Sequence, residues 1–147
     1  MLFRRRAYAY VTRMKDGARQ VLVFSQHNDP EAGIQIPGGG IEPEETPLEG
    51  VKREVFEEAG LKECLVEREL AVDMWEYHSG DLHQRVERHF FLLSVDDVPD
   101  EWEHHVTGKG EDNGLIFLYF WVNSPDEVEL VPGDADYLHL VFDVEHK

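Results

Sequence analysis

Two hydrophobic periods follow one another along this chain, and each change of period marks an element. Arg6 to Thr12 alternates around Tyr8, Tyr10 and Val11, and Val21 to Phe24 is a short apolar run. Both read as strands of a hairpin turning at Asp16 and Gly17. Ile34 and Ile36 flank Gln35 in strand fashion, after which Pro37 and Gly38 to Gly40 are expected to stop regular structure. At Thr46 the spacing lengthens: Leu48, Val51, Val55 and Ala59 recur every three or four residues. Thr46 suits an N-cap, Pro47 the first helical position, Glu49 completes a capping box, and Gly60 suits a left-handed C-cap. The spacing predicts a helix from Thr46 to Ala59. Val66 to Tyr77 and Val86 to Val95 then read as strands around a turn at Ser79 to Asp81. Asp96 to Gly114 is a long polar connection, and Leu115 to Val122 reads as a central strand. Asp134 to Val144 fits a short helix or a strand, with the helix preferred.

A chain of 147 residues fits one domain, here 1–147, able to bury roughly 70% of its unfolded surface. Thirty-one acidic residues against fourteen basic ones give a formal charge of −17. That balance argues against nucleic acid and anionic membranes as partners. An anionic substrate would need placed cations, and divalent metal fits an acidic chain best. Cys64 stands alone, so no intrachain disulfide is expected. No segment is apolar enough for a signal peptide or a membrane span, so a cytoplasmic protein is expected. A homodimer is compatible with the sequence.

The chemistry-bearing pattern lies on the predicted helix. Glu54, Glu57 and Glu58 stand at i, i+3 and i+4 and share one face. At about 4 Å and an effective dielectric of roughly 20, each ionised pair repels by about 4 kcal/mol. A divalent cation removes that conflict, and oxygen-only ligands select Mg2+ or Mn2+. The preceding glycines allow close approach of main-chain groups to a ligand. Arg53 is expected to point off the metal face and hold Glu45 in a forked pair. Gly50 inside the helix, at a cost of about 1 kcal/mol, suggests that a side chain there would strike a neighbour.

These residues spell Gly39, five residues, Glu45, seven residues, then Arg53, Glu54, Val55, Phe56, Glu57, Glu58, Ala59, Gly60 and Leu61. The run resembles the signature of the Nudix hydrolase family at every defined position, a coincidence expected on the order of once in ten thousand chains or rarer. The resemblance implies an α/β (α+β) fold: a Nudix-type α/β/α sandwich with a mixed sheet between helices. It also implies Mg2+- or Mn2+-dependent hydrolysis of a diphosphate linkage in a nucleoside diphosphate derivative, a small-molecule substrate that includes dinucleoside polyphosphates. By that similarity Glu54, Glu57, Glu58 and the Gly38 carbonyl bind metal, while Arg53 and Glu45, with Gly39 and Gly60, orient the site. The general base is expected among the box glutamates, with Glu103 and Glu111 as later-loop alternatives. Relatives that remove oxidised nucleoside triphosphates often carry Trp where this chain has Ile34, which argues against that substrate. Tyr77 lies where relatives acting on dinucleoside polyphosphates tend to have Tyr. Two rival readings stand beside this one: a ligand-binding regulator without turnover, and a hydrolase of a non-nucleotide diphosphate such as an isoprenoid or inositol derivative.

Other features carry blander readings. His78, His83 and His89 lack zinc-ligand spacing and read as surface or strand packing. Arg4 to Arg6 read as a solvated or self-pairing segment rather than a phosphate contact. Trp121 reads as core, and Trp102, in the acidic connection, as a base-stacking candidate.

Overall fold

A computed structural model describes residues 2–108 and 113–143. Its elements are β1 (Leu2–Lys15), β2 (Ala18–Gln26), β3 (Gly38–Gly40), α1 (Pro47–Ala59), β4 (Leu65–Ser79), β5 (Leu82–Ser94), β6 (Trp102–His105), β7 (Ile116–Val122) and α2 (Leu138–Asp143). Asp16 and Gly17, at φ 52° and 82°, form the two-residue turn between β1 and β2. Left-handed residues at both positions give a loop whose twist matches that of the flanking strands.

The sheet runs in the order β4-β5-β1-β2-β7-β6. It is mixed: β1 is parallel to β5, and the other pairings between the named strands are antiparallel. One edge of β1 serves two partners, with Thr12 to Lys15 on β2 and Arg6 to Tyr8 on β3. Alternation along β1 supplies both cores. Ala7, Ala9 and Val11 pack beneath Val51, Val55 and Ala59 of α1, while Tyr10 on the opposite face packs with Leu138 and Val141 of α2. A helix therefore covers each face, the α/β/α sandwich that the sequence implies. Among the described residues, no helix is long and apolar enough to cross a membrane.

Several expectations are corrected. Gly38 to Gly40 does not end regular structure but forms β3. A Cβ at Gly38 would lie 2.6 Å from the Ala7 carbonyl oxygen, so glycine is what lets this strand approach β1. The polar connection contains β6, which pairs with β7 and leaves β7 one strand in from the edge rather than central. The C-terminal segment is helical only from Leu138, and Val144 lies outside the described residues. Trp121 does pack in the core beneath α1.

Candidate active site

The helix is pinned at both ends. At its start the Thr46 hydroxyl accepts from the Glu49 amide (3.1 Å) and the Glu49 carboxylate accepts from the Thr46 amide (2.9 Å). At its end, four carbonyls lack partners within the helix, and each finds a donor. Phe56 accepts from the amide of Gly60, which lies at φ 76°. Glu57 accepts from the Thr107 amide (3.1 Å) and faces His104 Nε2 at 3.0 Å. Glu58 accepts from the Tyr119 hydroxyl (2.9 Å), and Ala59 from the Trp102 indole (3.1 Å). The turn that carries Glu57 and Glu58 is thereby fixed from β6, β7 and the loop between them.

Burying Val51, Val55 and Ala59 turns Glu54, Glu57 and Glu58 toward β3. The register of β3 decides which main-chain groups they meet. Pro37 O accepts from Ala9 N, and Ile41 N donates to Arg5 O, so the odd positions face β1. Gly38 and Gly40 face the helix instead: Gly38 N donates to Glu58 Oε1 (3.2 Å) and Gly40 O accepts from Arg53 Nη2 (2.8 Å). The Gly38 carbonyl lies on the same strand edge as its amide. Gly39 is close-fitted, because a Cβ there would run into the Glu54 carboxylate; at Gly108 it would meet that of Glu57. At Gly50 the neighbours are the Ile41 side chain (3.2 Å) and Glu45 Oε1 (3.4 Å), as a helical glycine at that position suggests.

Arg53 places all five of its N–H donors. Nε and Nη2 fork onto Glu45 (2.6 and 2.9 Å), Nη2 also reaches Gly40 O, and Nη1 reaches Glu54 Oε2 (3.1 Å) and Glu57 Oε1 (3.2 Å). The fork to Glu45 matches expectation. The orientation does not: the guanidinium curls back between two metal-face carboxylates, drawn by their uncompensated charge. Hydrogen bonds from Arg53 hold the Glu45 carboxyl below its usual range, while Glu45, Glu54 and Glu57 hold the Arg53 guanidinium above its own. Burial raises the Glu54 carboxyl, Arg53 opposes that shift and Glu57 adds to it. Glu58 is 5% exposed.

The donor set suits a hard divalent cation, being oxygen-only, negative and partly buried. Arg53 Nη1 stands between Glu54 and Glu57, while the Glu54 and Glu58 side chains share a hydrogen bond. Burial of like-charged carboxylates, and glycines where a Cβ would fill the space beside them, are what a cation cradle requires.

An open cleft of about 1150 Å3 joins these groups to Arg4, Arg5 and Arg6 of β1. Arg5 Nη2 donates to the carbonyls of Glu42 (3.0 Å) and Glu45 (3.2 Å), and Arg6 Nε to the Tyr8 hydroxyl (2.9 Å). Arg4 is exposed, while Arg5 and Arg6 pair within the chain, the self-pairing alternative of the sequence reading, and all three line the cleft. The signal in the sequence was their position at the start of the strand that pairs with the glycines, and only the non-local β1–β3 pairing makes it legible.

Other sequence candidates lie elsewhere. Trp102 stacks on Tyr119 (5.0 Å, 15°) and caps Ala59, which makes it a support of the helix end rather than a base platform. Tyr77 is 52% exposed on β4 opposite Gln84, and Glu103 is exposed on β6; neither lines the cleft. Glu111 lies outside the described residues.

Comparison with known proteins agrees with this geometry. The NUDIX domain model matches residues 2–142. The chain is 36% identical over 124 residues to diphosphoinositol polyphosphate phosphohydrolase 3-alpha of Mus musculus, covering 81% of this chain and 66% of that protein. It is 35% identical to diphosphoinositol polyphosphate phosphohydrolase 2 of Rattus norvegicus, covering 81% and 60%. The chain thus spans less than two thirds of these relatives. Among solved structures, a UDP-X diphosphatase superposes with TM-score 0.67 at 19% identity, over 99% of this chain and 64% of that one. A Nudix hydrolase from M. smegmatis gives 0.66 at 20% identity, over 99% and 88%. At such identities the structures show the shared fold, and the family match over residues 2–142 shows the family: the chain belongs to the NUDIX domain family.

Proposed function

We propose that this chain is a metal-dependent diphosphatase that splits a diphosphate linkage in a small anionic substrate by attack of water at phosphorus. The observation that carries this reading is the cleft itself, with the Glu54, Glu57 and Glu58 carboxylates on one wall and Arg4, Arg5 and Arg6 on another. Glu54, Glu57, Glu58 and the Gly38 carbonyl would hold the cation. When bound, Mg2+ or Mn2+ supplies charge neutralisation at the phosphate oxygens and a more acidic water. Arg53 and Glu45 keep the glutamates in place, the β1 arginines bind phosphate, and a box glutamate takes the proton from the attacking water. Completeness of the box favours turnover over a purely regulatory role. The whole chain, 1–147, acts as one domain.

A nucleoside diphosphate derivative is the first substrate class, giving a nucleoside monophosphate and a phosphorylated remainder. One observation favours a second class, a polyphosphorylated non-nucleotide: three consecutive arginines line the cleft, whereas Phe3 is the one aromatic side chain among its described lining residues. Two relatives at 35–36% identity are named for diphosphoinositol polyphosphates. The test is a phosphate-release screen with Mg2+ or Mn2+ over nucleoside triphosphates, nucleotide sugars, ADP-ribose, dinucleoside polyphosphates and diphosphoinositol polyphosphates. Turnover of one class that disappears in Glu57→Gln supports the proposal. A folded, metal-supplied protein inert on every class overturns it.

A further inference from the structure

The hairpin formed by β4 and β5 brings together side chains whose sequence spacing shows no ligand motif. Its register sets His78 directly opposite His83, and Glu76, two residues before His78, projects from the same face. The imidazoles stack with centroids 4.0 Å apart and planes 17° from parallel, so the rings must turn about their side-chain torsions before both in-plane lone pairs meet one ion. One ligand atom from each of Glu76, His78 and His83 lies within 4.8 Å of the other two. Two imidazole nitrogens and a carboxylate oxygen make a three-ligand set that suits Zn2+ and leaves a position open.

A second observation concerns His83 Nε2. This atom is covered from solvent and makes no hydrogen bond, yet it faces Glu76 Oε1 at 3.5 Å. That separation is long for a hydrogen bond. It is close to the roughly 3.3 Å edge of a tetrahedron built on metal–ligand distances of about 2.0–2.1 Å. Glu76 also faces Arg85, whose Nε stands 3.8 Å from Oε2 and is likewise buried without a hydrogen bond. This loose ion pair is one a metal would readily replace.

We propose that Glu76, His78 and His83 form a second metal site, taking a borderline transition cation such as Zn2+ and sharing no ligand with the carboxylate cleft. Alternation along β5 puts His83 and Arg85 on the face of Phe91 and Leu93, the face that α1 covers. Arg85 pairs with Phe3, a lining residue of the cleft, so the site borders the cleft from a neighbouring strand. Its nitrogen-rich donors select a different class of cation from the oxygen-only helix face.

The experiment uses the full chain, stripped with EDTA and titrated calorimetrically with Zn2+ alone. Co2+ absorption in the visible range serves as a coordination signature. Wild type and Glu57→Gln are expected to bind one equivalent at the hairpin, and His78→Asn, His83→Asn and Glu76→Gln to bind it at least about tenfold more weakly. His78 is exposed, so its variant tests the ligand without disturbing the core. Equal titration of wild type and the two histidine variants overturns the proposal. So does a Zn2+ signal that survives in His78→Asn and vanishes in Glu57→Gln, which would place the ion at the cleft.

Discussion

Two carboxyls show how burial sets behaviour one residue at a time. Glu58 is buried and already accepts from the Gly38 amide, so Glu58→Gln keeps the shape and removes the charge. Steady-state kinetics with Mg2+ should show a fall in kcat of about a hundredfold or more, in the range removal of a positioned base produces, with the melting temperature unchanged or raised. On the other face of the sheet, burial pushes the Asp134 carboxyl up to about 6, with the Ile36 amide, Arg6 and Arg88 opposing the shift. A carboxyl raised on folding binds its proton more tightly in the folded chain. Its stabilising contribution is therefore complete below the unfolded value of 3.8 and lost as pH rises through 6. The shift corresponds to a loss on the order of 3 kcal/mol. Asp134→Asn retains an acceptor for the Ile36 amide (3.0 Å) and has no charge to desolvate. Thermal melts should find it more stable than wild type at pH 7.5 and level with it at pH 4. Equal stability at pH 7.5 would show that Arg6 and Arg88 already compensate the buried charge.

Helix α1 was legible in the sequence because everything that defines it is local: the Thr46 and Glu49 capping box, the Val51, Val55 and Ala59 stripe, and the Gly60 stop. The clustering of Glu54, Glu57 and Glu58 followed from helical spacing alone. What holds the far end of that helix was not legible, because Trp102, His104 and Tyr119 reach it across more than forty residues of chain. For the same reason β3 read as a loop, and Arg4 to Arg6 as a solvated or self-pairing stretch with no place in the cleft. Their roles exist only once β1 pairs with β3. Trp102 separates the two readings experimentally. Trp102→Phe keeps an aromatic ring against Tyr119 and deletes the donor to Ala59, so the melting temperature should fall by the equivalent of about 1 kcal/mol. KM should stay constant. A raised KM with unchanged stability would restore the base-stacking role. At the other end, Thr46→Ala removes one half of the capping box and should cost about 1 kcal/mol in denaturant unfolding.

Across the whole molecule a formal charge of −17 is spread over a small surface, and part of it is concentrated in one cleft. Self-repulsion of this kind weakens the folded state, and any salt relieves it by screening. A divalent ion held by the cleft does something salt cannot, because it binds the folded chain and not the unfolded one. At a hundred times its dissociation constant, such a ligand stabilises by about 2.7 kcal/mol. For a chain of this length that corresponds to a rise in melting temperature of roughly 5–10 °C. The measurement is a series of melts in Mg2+ or Mn2+ against NaCl at matched ionic strength. Wild type should gain the increment in the divalent series beyond any gain in NaCl. Glu57→Gln, which lacks one cleft carboxylate, should retain the NaCl response and lose most of the divalent increment. His83→Asn, altered only at the hairpin, should respond as wild type does to Mg2+ and respond less than wild type to Zn2+. If Mg2+, Mn2+ and NaCl move the wild-type melt equally, the glutamates of α1 hold no specific ion, and the chemistry assigned to the cleft loses its foundation.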